Sequence, residues 1–279
     1  MKKIIVPLDF SKYSENALKT AAFLAKDSDI EILAVHMLEL SNAVISQSQS
    51  AVQKEMIFYL KLAEKRFTDF LQKDYLSDVK VTPIIKHFKI FSELDELARE
   101  EGADLIIMGS KGVEGVKEML VGSNTEKVIR YANVPVLVIK EEPLTKKLEN
   151  ILFACDFSDE DIKPYMKAKT FFSKFNANVE IVYVSTPSSK FKSSKELEEK
   201  MKYFFSQTDE SYEESISKVK IISDYSIEKG VFYYADKRNF DVLVVATHGR
   251  KGINHFFEGS ISEDIANHSK LPVLSFKIQ

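Results

Sequence analysis

Two short stretches decide the fold, KIIVPLDFS at Lys3–Ser11 and NILFACDFS at Asn150–Ser158. Each is followed far downstream by a glycine-punctuated segment that ends in a hydrophobic strand. These segments are IIMGSKGVEGVKEMLVGSNTEKVIRYANVPVLVIK (Ile106–Lys140) and VVATHGRKGINHFFEGSISEDIANHSKLPVLSFK (Val244–Lys277). Gly112, Gly122 and Pro135 match Gly249, Gly259 and Pro272 at one constant spacing. The chain therefore holds two copies of a unit of roughly 140 residues, called copy one and copy two below.

Length and composition fit two ordinary globular domains. The chain has 279 residues, of which 44% are hydrophobic and 29% are charged. We predict domains at 1–142 and 148–279, with the boundary in EEPLTKK at Glu141–Lys147. Each half is long enough to bury its own core.

Charge and cysteine usage exclude several classes of protein. The formal net charge of −3 and the lack of a basic run argue against a nucleic-acid partner. The single cysteine, Cys155, excludes an intramolecular disulfide and suits a reducing compartment. Without a signal segment or a long apolar stretch, the sequence predicts a cytoplasmic protein with no membrane partner.

Strands alternate with helices in both copies. In copy one, continuous apolar runs predict strands at IIVPL, Ile30–Met37, Val79–Ile85, Asp104–Gly109 and Val134–Ile139. In copy two they predict strands near 150–155, 179–184, 218–223, 241–246 and 272–277. Apolar runs of this kind are typical of parallel strands covered on both faces. The fold class is therefore α/β, with two tandem, doubly wound, five-stranded parallel sheets.

The marked residues follow the ends of strands, where doubly wound sheets bind ligands. Asp9 ends the first strand, and its carboxylate could accept a hydrogen bond from a ribose hydroxyl or an exocyclic amine. Gly109 ends the fourth strand, where a missing side chain would let a ring or ribose lie against the backbone. Gly122 and Ser123 open a helix whose free N–H groups suit phosphate oxygens, and the hydroxyl groups of Ser123 and Thr125 add donors.

A structural interpretation competes with this one. Glycines after a strand are often only turn residues, and a structural turn would be duplicated as well.

The whole chain resembles a tandem universal stress protein, with two UspA-type domains in one chain. The nucleotide signature of that family, G-x2-G-x9-G-[ST], is matched by Gly109, Gly112, Gly122 and Ser123. The resemblance implies an adenine-nucleotide alpha-hydrolase-like fold with strand order 3-2-1-4-5. It also implies ATP or a related adenine nucleotide, with or without Mg²⁺, in a stress-response role. The implied site of copy one is Pro7, Leu8, Asp9, Met37, Met108, Gly109, Gly112, Gly122, Ser123, Asn124 and Thr125.

Copy two departs from the signature. Ala246 replaces the first glycine, and Glu258 precedes Gly259, where its carboxylate would repel a polyphosphate. In copy one, Val113 stands where copy two has Arg250. The corresponding site of copy two is Asp156, Ala246, His248, Gly249, Arg250, Gly259, Ser260, Ile261 and Ser262.

Enzymatic motifs are missing from the sequence. It contains neither a P-loop nor a G-x-S-x-G elbow, and its histidines lack partners at metal-ligand spacing. We therefore predict no metal site, and at most weak ATP hydrolysis. The first hypothesis is an ATP-binding stress-response regulator. The alternative is a nucleotide-independent interaction module with degenerate sites.

The final strands of the two copies would lie at sheet edges in the predicted strand order. Exposed apolar edges favour association. We therefore predict that the two copies pair through these strands as an internal pseudo-dimer. A homodimer of the whole chain is compatible with this pairing. Protein partners are not identified by the sequence.

Overall fold

The computed structural model describes most of both copies. It covers residues 1–37, 49–86, 93–111, 122–188, 191–208, 210–247 and 261–278. For residues 49–56, 123 and 261–264 it describes the backbone alone.

The chain divides into two compact units. The first unit comprises Met1–Val128 and Val136–Thr145, and the second comprises Ile129–Pro135 and Lys146–Gln279. The change at Thr145 lies within the Glu141–Lys147 segment. The short stretch Ile129–Pro135, which the sequence analysis placed in the first domain, is grouped with the second unit.

Copy one alternates strands and helices. Its elements are β1 (Lys3–Pro7), α1 (Lys12–Ala25), β2 (Glu31–Met37), α2 (Gln49–Leu71), a 3-10 turn (Asp74–Leu76), β3 (Lys80–Lys86), α3 (Glu93–Glu101), β4 (Leu105–Gly109), α4 (Ser123–Tyr131) and β5 (Val136–Ile139).

Copy two repeats this order, and a short helix lies directly before its 3-10 turn. Its elements are β6 (Asn150–Ala154), α5 (Asp159–Ser173), β7 (Asn178–Ser185), α6 (Ser194–Ser206), α7 (Tyr212–Ser215), a 3-10 turn (Ile216–Lys218), β8 (Val219–Ser223), α8 (Ile227–Lys237), β9 (Val242–Thr247), α9 (Ile261–His268) and β10 (Val273–Lys277).

The strand order is the predicted one in both copies. It is β3-β2-β1-β4-β5 in copy one and β8-β7-β6-β9-β10 in copy two, and every neighbouring pair within a copy is parallel. Ile4, Ile5, Ile106 and Ile107 are fully buried, because helices cover both faces of the sheet. Each such side chain stabilises the fold by about 2 kcal/mol. The predicted α/β class is therefore confirmed.

Polar side chains of α1 hold the segment that follows β5. The Asn16 side-chain amide donates a hydrogen bond to the carbonyl of Glu141 at 2.7 Å. The backbone N–H of Leu144 donates to the hydroxyl of Thr20 at 3.0 Å. Both side chains are buried, so these bonds satisfy polar groups that would otherwise be costly to bury. The start of the predicted linker is thereby fastened to the first unit.

Helix α8 approaches β7 at a glycine, which yields a stability prediction. A Cβ atom on Gly230 would lie 2.5 Å from Cγ1 of Val184. Helix propensity alone would make Gly230→Ala stabilising by about 1 kcal/mol. We expect the opposite sign, a loss of about 1–3 kcal/mol in the free energy of unfolding, because the methyl group overpacks the contact.

Urea denaturation measures this loss, and the matched control is the double variant Gly230→Ala with Val184→Ala. Removing the valine methyl groups should relieve the overpacking, so Gly230→Ala should cost less in the Val184→Ala background than alone. A stabilised single variant would contradict the close packing of α8 on β7.

Candidate functional site

A tight turn follows β1, and we call residues 8–11 the first turn. The carboxylate of Asp9 accepts a hydrogen bond from the backbone N–H of Ser11 at 3.0 Å. Between them, Phe10 has a φ of 63°, which is uncommon for a bulky residue. Ser11 then caps α1, because its hydroxyl accepts from the N–H of Ser14 at 3.2 Å.

Copy two has the same turn after β6, and we call residues 155–158 the second turn. The carboxylate of Asp156 accepts from the N–H of Ser158 at 2.7 Å, and Phe157 has a φ of 60°. Such backbone strain persists only where the surroundings enforce it. The duplicated Asp is therefore part of the turn in both copies, whatever else it contacts.

The strand tips of copy one meet at one edge of the sheet. The N–H of Leu8 donates to the carbonyl of Val35 on β2 at 2.7 Å. Ile5 of β1 pairs with Ile106 of β4, and the same register carried onward sets Leu8 level with Gly109. Asp9 therefore lies between the end of β2, at Met37, and the end of β4. Pro7, Leu8 and Met108 are buried beneath this edge.

Gly109 has a packing role that the sequence did not reveal. A Cβ atom there would lie 2.7 Å from the backbone carbonyl carbon and oxygen of Tyr13. The start of α1 fills this space, so the interpretation that it leaves room for a ring or ribose is wrong on that side. Glycine is required because the helix backbone comes so close.

The start of α4 is fastened to the tip of β4. The N–H of Gly122 donates to the carbonyl of Ser110 at 2.7 Å, and the N–H of Ser110 donates to Ile139 at 2.8 Å. The buried hydroxyl of Thr125 donates to the carbonyl of Gly109 at 2.9 Å. In this structure Thr125 therefore positions the helix and does not offer its proton to a ligand. Asn124 is exposed beside it.

Several predicted site residues lie outside the described residues. In copy one this holds for Gly112 and Val113, and for the side chain of Ser123. In copy two it holds for His248, Gly249, Arg250, Glu258, Gly259 and Ser260, and for the side chains of Ile261 and Ser262, whose backbones begin α9. Ala246 is buried near the end of β9.

His36 at the end of β2 packs against the first turn. Its Nδ1 lies 2.7 Å from the carbonyl oxygen of Leu8, so Nδ1 is the nitrogen that donates. Its ring centroid lies 4.5 Å from that of Phe10, and Phe67 of α2 packs against both rings. Burial lowers the pKa of His36, the bond to Leu8 opposes this in part, and Arg66 lowers it further. No spacing along the chain predicts this packing.

The second turn holds a buried carboxyl that copy one lacks. Asp161 of α5 accepts from the N–H of Asp156 at 2.9 Å and lies 3.4 Å from the thiol of Cys155. Burial and the neighbouring Asp156 raise the pKa of Asp161 to about 7. Copy one has Ser14 at the matching position. Burial also raises the pKa of Cys155, as expected of an inert structural thiol.

Lys200 of α6 reaches the same turn. Its ammonium donates to the carbonyl of Asp156 at 2.6 Å and lies 3.9 Å from the carboxylate. The Asp156 side chain is 63% exposed. Burial raises the pKa of Asp156, but the hydrogen bond from Ser158 and the charge of Lys200 outweigh this and lower it. The sequence analysis did not single out Lys200 or Asp161, because neither belongs to a recognisable motif.

The described part of the chain has neither a metal cluster nor a membrane span. No group of three or more His, Cys, Asp or Glu side chains is arranged there to hold a metal ion. None of the helices described there combines the length and the apolar character that a membrane span requires.

The lowered pKa of His36 predicts how copy one responds to acid. A folded state that binds the proton less readily than the unfolded state loses stability as the pH falls below about 6.5 and through the lowered pKa. We expect hydrogen exchange of residues 4–37, corrected for intrinsic rates, to accelerate between pH 7 and pH 5. The variant His36→Asn should lose this acceleration.

The control is His268→Asn, because His268 is an exposed histidine that pairs with Glu228 in copy two. This variant should leave the acid response of residues 4–37 unchanged. An undiminished acid response in His36→Asn would show that another group causes it.

Comparison with known proteins identifies the family. A model of the Universal stress protein family matches residues 1–140 and again residues 147–277. Universal stress protein MJ0577 of Methanocaldococcus jannaschii is 34% identical over 156 residues, which cover 50% of this chain and 96% of that protein. Universal stress protein G of Escherichia coli O157:H7 is 31% identical over 142 residues, which cover 50% of this chain and 99% of that protein.

Among solved structures, a universal stress protein from Archaeoglobus fulgidus superimposes with a TM-score of 0.69 at 22% identity. The match covers 99% of this chain and 96% of that one, so it shows that the fold extends over both copies. The chain therefore belongs to the universal stress protein family and carries two UspA-type domains in tandem.

Proposed function

We propose that copy one binds ATP or a related adenine nucleotide and that the protein acts as a stress-response regulator or interaction protein. The family membership and the complete G-x2-G-x9-G-[ST] pattern at Gly109, Gly112, Gly122 and Ser123 support this proposal. Neither copy carries a P-loop or a nucleophile elbow, which favours binding over rapid turnover.

The geometry at the start of α4 is the observation that carries the proposal. Two hydrogen bonds, from Gly122 to Ser110 and from Thr125 to Gly109, hold the N-terminal end of this helix against the tip of β4. The first N–H groups of a helix have no acceptor within the helix, and its positive end attracts anions. The backbone N–H groups around Asn124 are therefore well suited to bind phosphate oxygens.

The first turn supplies the polar group for the other end of the ligand. Ser11 uses one acceptor position of the Asp9 carboxylate, and a carboxylate offers about four. In this proposal a ribose hydroxyl donates to the same carboxylate. Met37, at the end of β2, would contact the base.

A divalent cation would enter with the nucleotide. Mg²⁺ usually binds phosphate oxygens and water with only one or two protein carboxylates, so a protein cage of three ligands is unnecessary. Protein partners, and pairing of the final strands as an internal pseudo-dimer, are further parts of this proposal.

The alternative, a nucleotide-independent interaction module, is favoured by observations in copy two. There Lys200 contacts Asp156, a second carboxyl at Asp161 lies beside it, and Ala246 replaces the first glycine. A nucleotide would meet added negative charge and a methyl group at that edge. We therefore assign the nucleotide to copy one.

Matched substitutions at the duplicated aspartates test this assignment. Asp9→Asn keeps an acceptor for Ser11 but removes the charge, and a hydrogen bond to a charged group contributes about 1.5–3 kcal/mol. We expect Asp9→Asn to weaken Mg-ATP binding about 10- to 100-fold by isothermal titration calorimetry. The same substitution in copy two, Asp156→Asn, should leave the affinity within about twofold of the unaltered protein.

Mass spectrometry of the small molecules released from denatured protein identifies the resident ligand. Adenine nucleotide in that extract, together with an effect of Asp9→Asn alone, would support the proposal. No nucleotide and no heat with millimolar Mg-ATP would instead support the interaction module. Equal losses in the two variants would contradict the assignment to copy one.

A further inference from the structure

The second turn is built around an acidic side chain with little access to solvent. Asp161 is 7% exposed, and its two hydrogen-bond donors are the N–H of Asp156 and the thiol of Cys155. Neither donor carries a positive charge. Among the residues that the structure describes, no cation pairs with Asp161. A buried carboxylate in such surroundings is costly, and a proton relieves the cost.

The titratable groups that face Asp161 come from each element packed around it. The end of β6 contributes Cys155 and the carboxylate of Asp156, which interacts directly with Asp161. Lys200 of α6 lies on the far side of Asp156 and contacts that residue. On α5 itself, Asp159 and Glu160 are exposed, and Tyr165 donates its hydroxyl to Glu210 at 2.6 Å. Burial is the strongest influence on the pKa of Asp161, and the like charge of Asp156 is the next.

Protonation changes what this pair of carboxyl groups can do. With one proton between them, Asp161 is neutral while the carboxylate of Asp156 stays available to Ser158 and Lys200. Without that proton, two negative charges face each other at the edge of the protein interior. The turn is therefore more stable in the protonated state.

Lys200 extends the effect to a helix. It donates to the carbonyl of Asp156, and two residues of the same helix, Phe204 and Phe205, pack against the strained residue Phe157. A displacement of the second turn must therefore alter how α6 is held.

Copy one has the same turn without this chemistry. Ser14 takes the place of Asp161, and its hydroxyl donates to the carbonyl of Ser11 at 3.0 Å. Leu8 takes the place of Cys155. The first turn therefore lacks the carboxyl group that favours protonation in the second turn.

We propose that Asp161 makes the second turn, and helix α6 which Lys200 fastens to it, a proton-responsive element that copy one lacks. Its backbone is protected from hydrogen exchange in mild acid, and this protection falls as the pH rises towards neutral and above. This inference does not rest on nucleotide binding, since it concerns copy two and is tested without nucleotide.

Hydrogen exchange of the full-length protein, corrected for intrinsic rates, tests the proposal at pH 5.5 and pH 8. A carboxyl with a raised folded-state pKa stabilises the closed state at low pH, and this stabilisation is lost as the pH rises through that pKa. We expect protection of residues 155–158 and of α6 to fall about tenfold or more between pH 5.5 and pH 8. Asp161→Asn should remove this pH dependence, because its amide stays neutral.

Substitutions of two lysines on α6 distinguish coupling between the second turn and α6 from a general effect of removing positive charge. Lys200→Met should weaken the pH response of α6 more than that of the second turn, because only the packing of Phe204 and Phe205 on Phe157 would remain. Lys202→Met is the matched control, because Lys202 is an exposed residue of the same helix whose contacts, with Glu198 and with the ring of Tyr212, lie outside the second turn. It should leave the response of α6 intact. Equal behaviour of the two lysine variants would refute the coupling.

Two further measurements keep the test decisive if Asp161→Asn does not fold. Asp161→Ser places in copy two the residue that copy one has at the matching position, and it should also abolish the pH response. In the unaltered protein, a ¹³C NMR titration of side-chain carboxyl groups should give Asp161 a midpoint near neutrality. A midpoint below pH 5, or protection independent of pH in the unaltered protein, would overturn the proposal.

Discussion

The turn that joins the first strand of each copy to its first helix is the constraint on which the rest depends. A carboxylate accepts the N–H two residues ahead, which holds a phenylalanine at positive φ and places a serine where it begins the helix. The phenylalanine then lies against the helix that crosses over the same strand tip, Phe67 of α2 in copy one and Phe204 of α6 in copy two. Because the parallel strands on either side end at the same edge, the turn fixes where any ligand can lie.

Much of this architecture was predictable from the sequence because it depends on periodicity. Continuous apolar runs gave the ten strands to within about two residues, and the repeat gave the strand order through the family resemblance. The roles of individual site residues were less predictable, because they depend on distances between elements. Gly109 is explained by the approach of Tyr13, and Thr125 by its bond to a strand carbonyl. Neither contact is encoded by spacing along the chain.

The two copies differ in charge chemistry at matching positions. His36 in copy one corresponds to Tyr183 in copy two, and Ser14 corresponds to Asp161. Burial lowers the pKa of the histidine and raises that of the aspartate, so acid weakens one strand tip and strengthens the other. One scaffold thus carries opposite proton responses, and each arises from a single substitution next to a turn that both copies share.

This difference bears on what each copy can bind. An anionic ligand at the second turn would bring further negative charge towards Asp156 and Asp161, and would therefore bind most readily when Asp161 carries its proton. By linkage, its binding would be accompanied by proton uptake and would weaken as the pH rises. At the first turn, Ser14 imposes no such coupling, and the N-terminus of α4 presents positive rather than negative charge. Under the proposal that copy one binds the nucleotide, the duplicated fold therefore sets that strand tip apart from a second one whose local charge depends on protons.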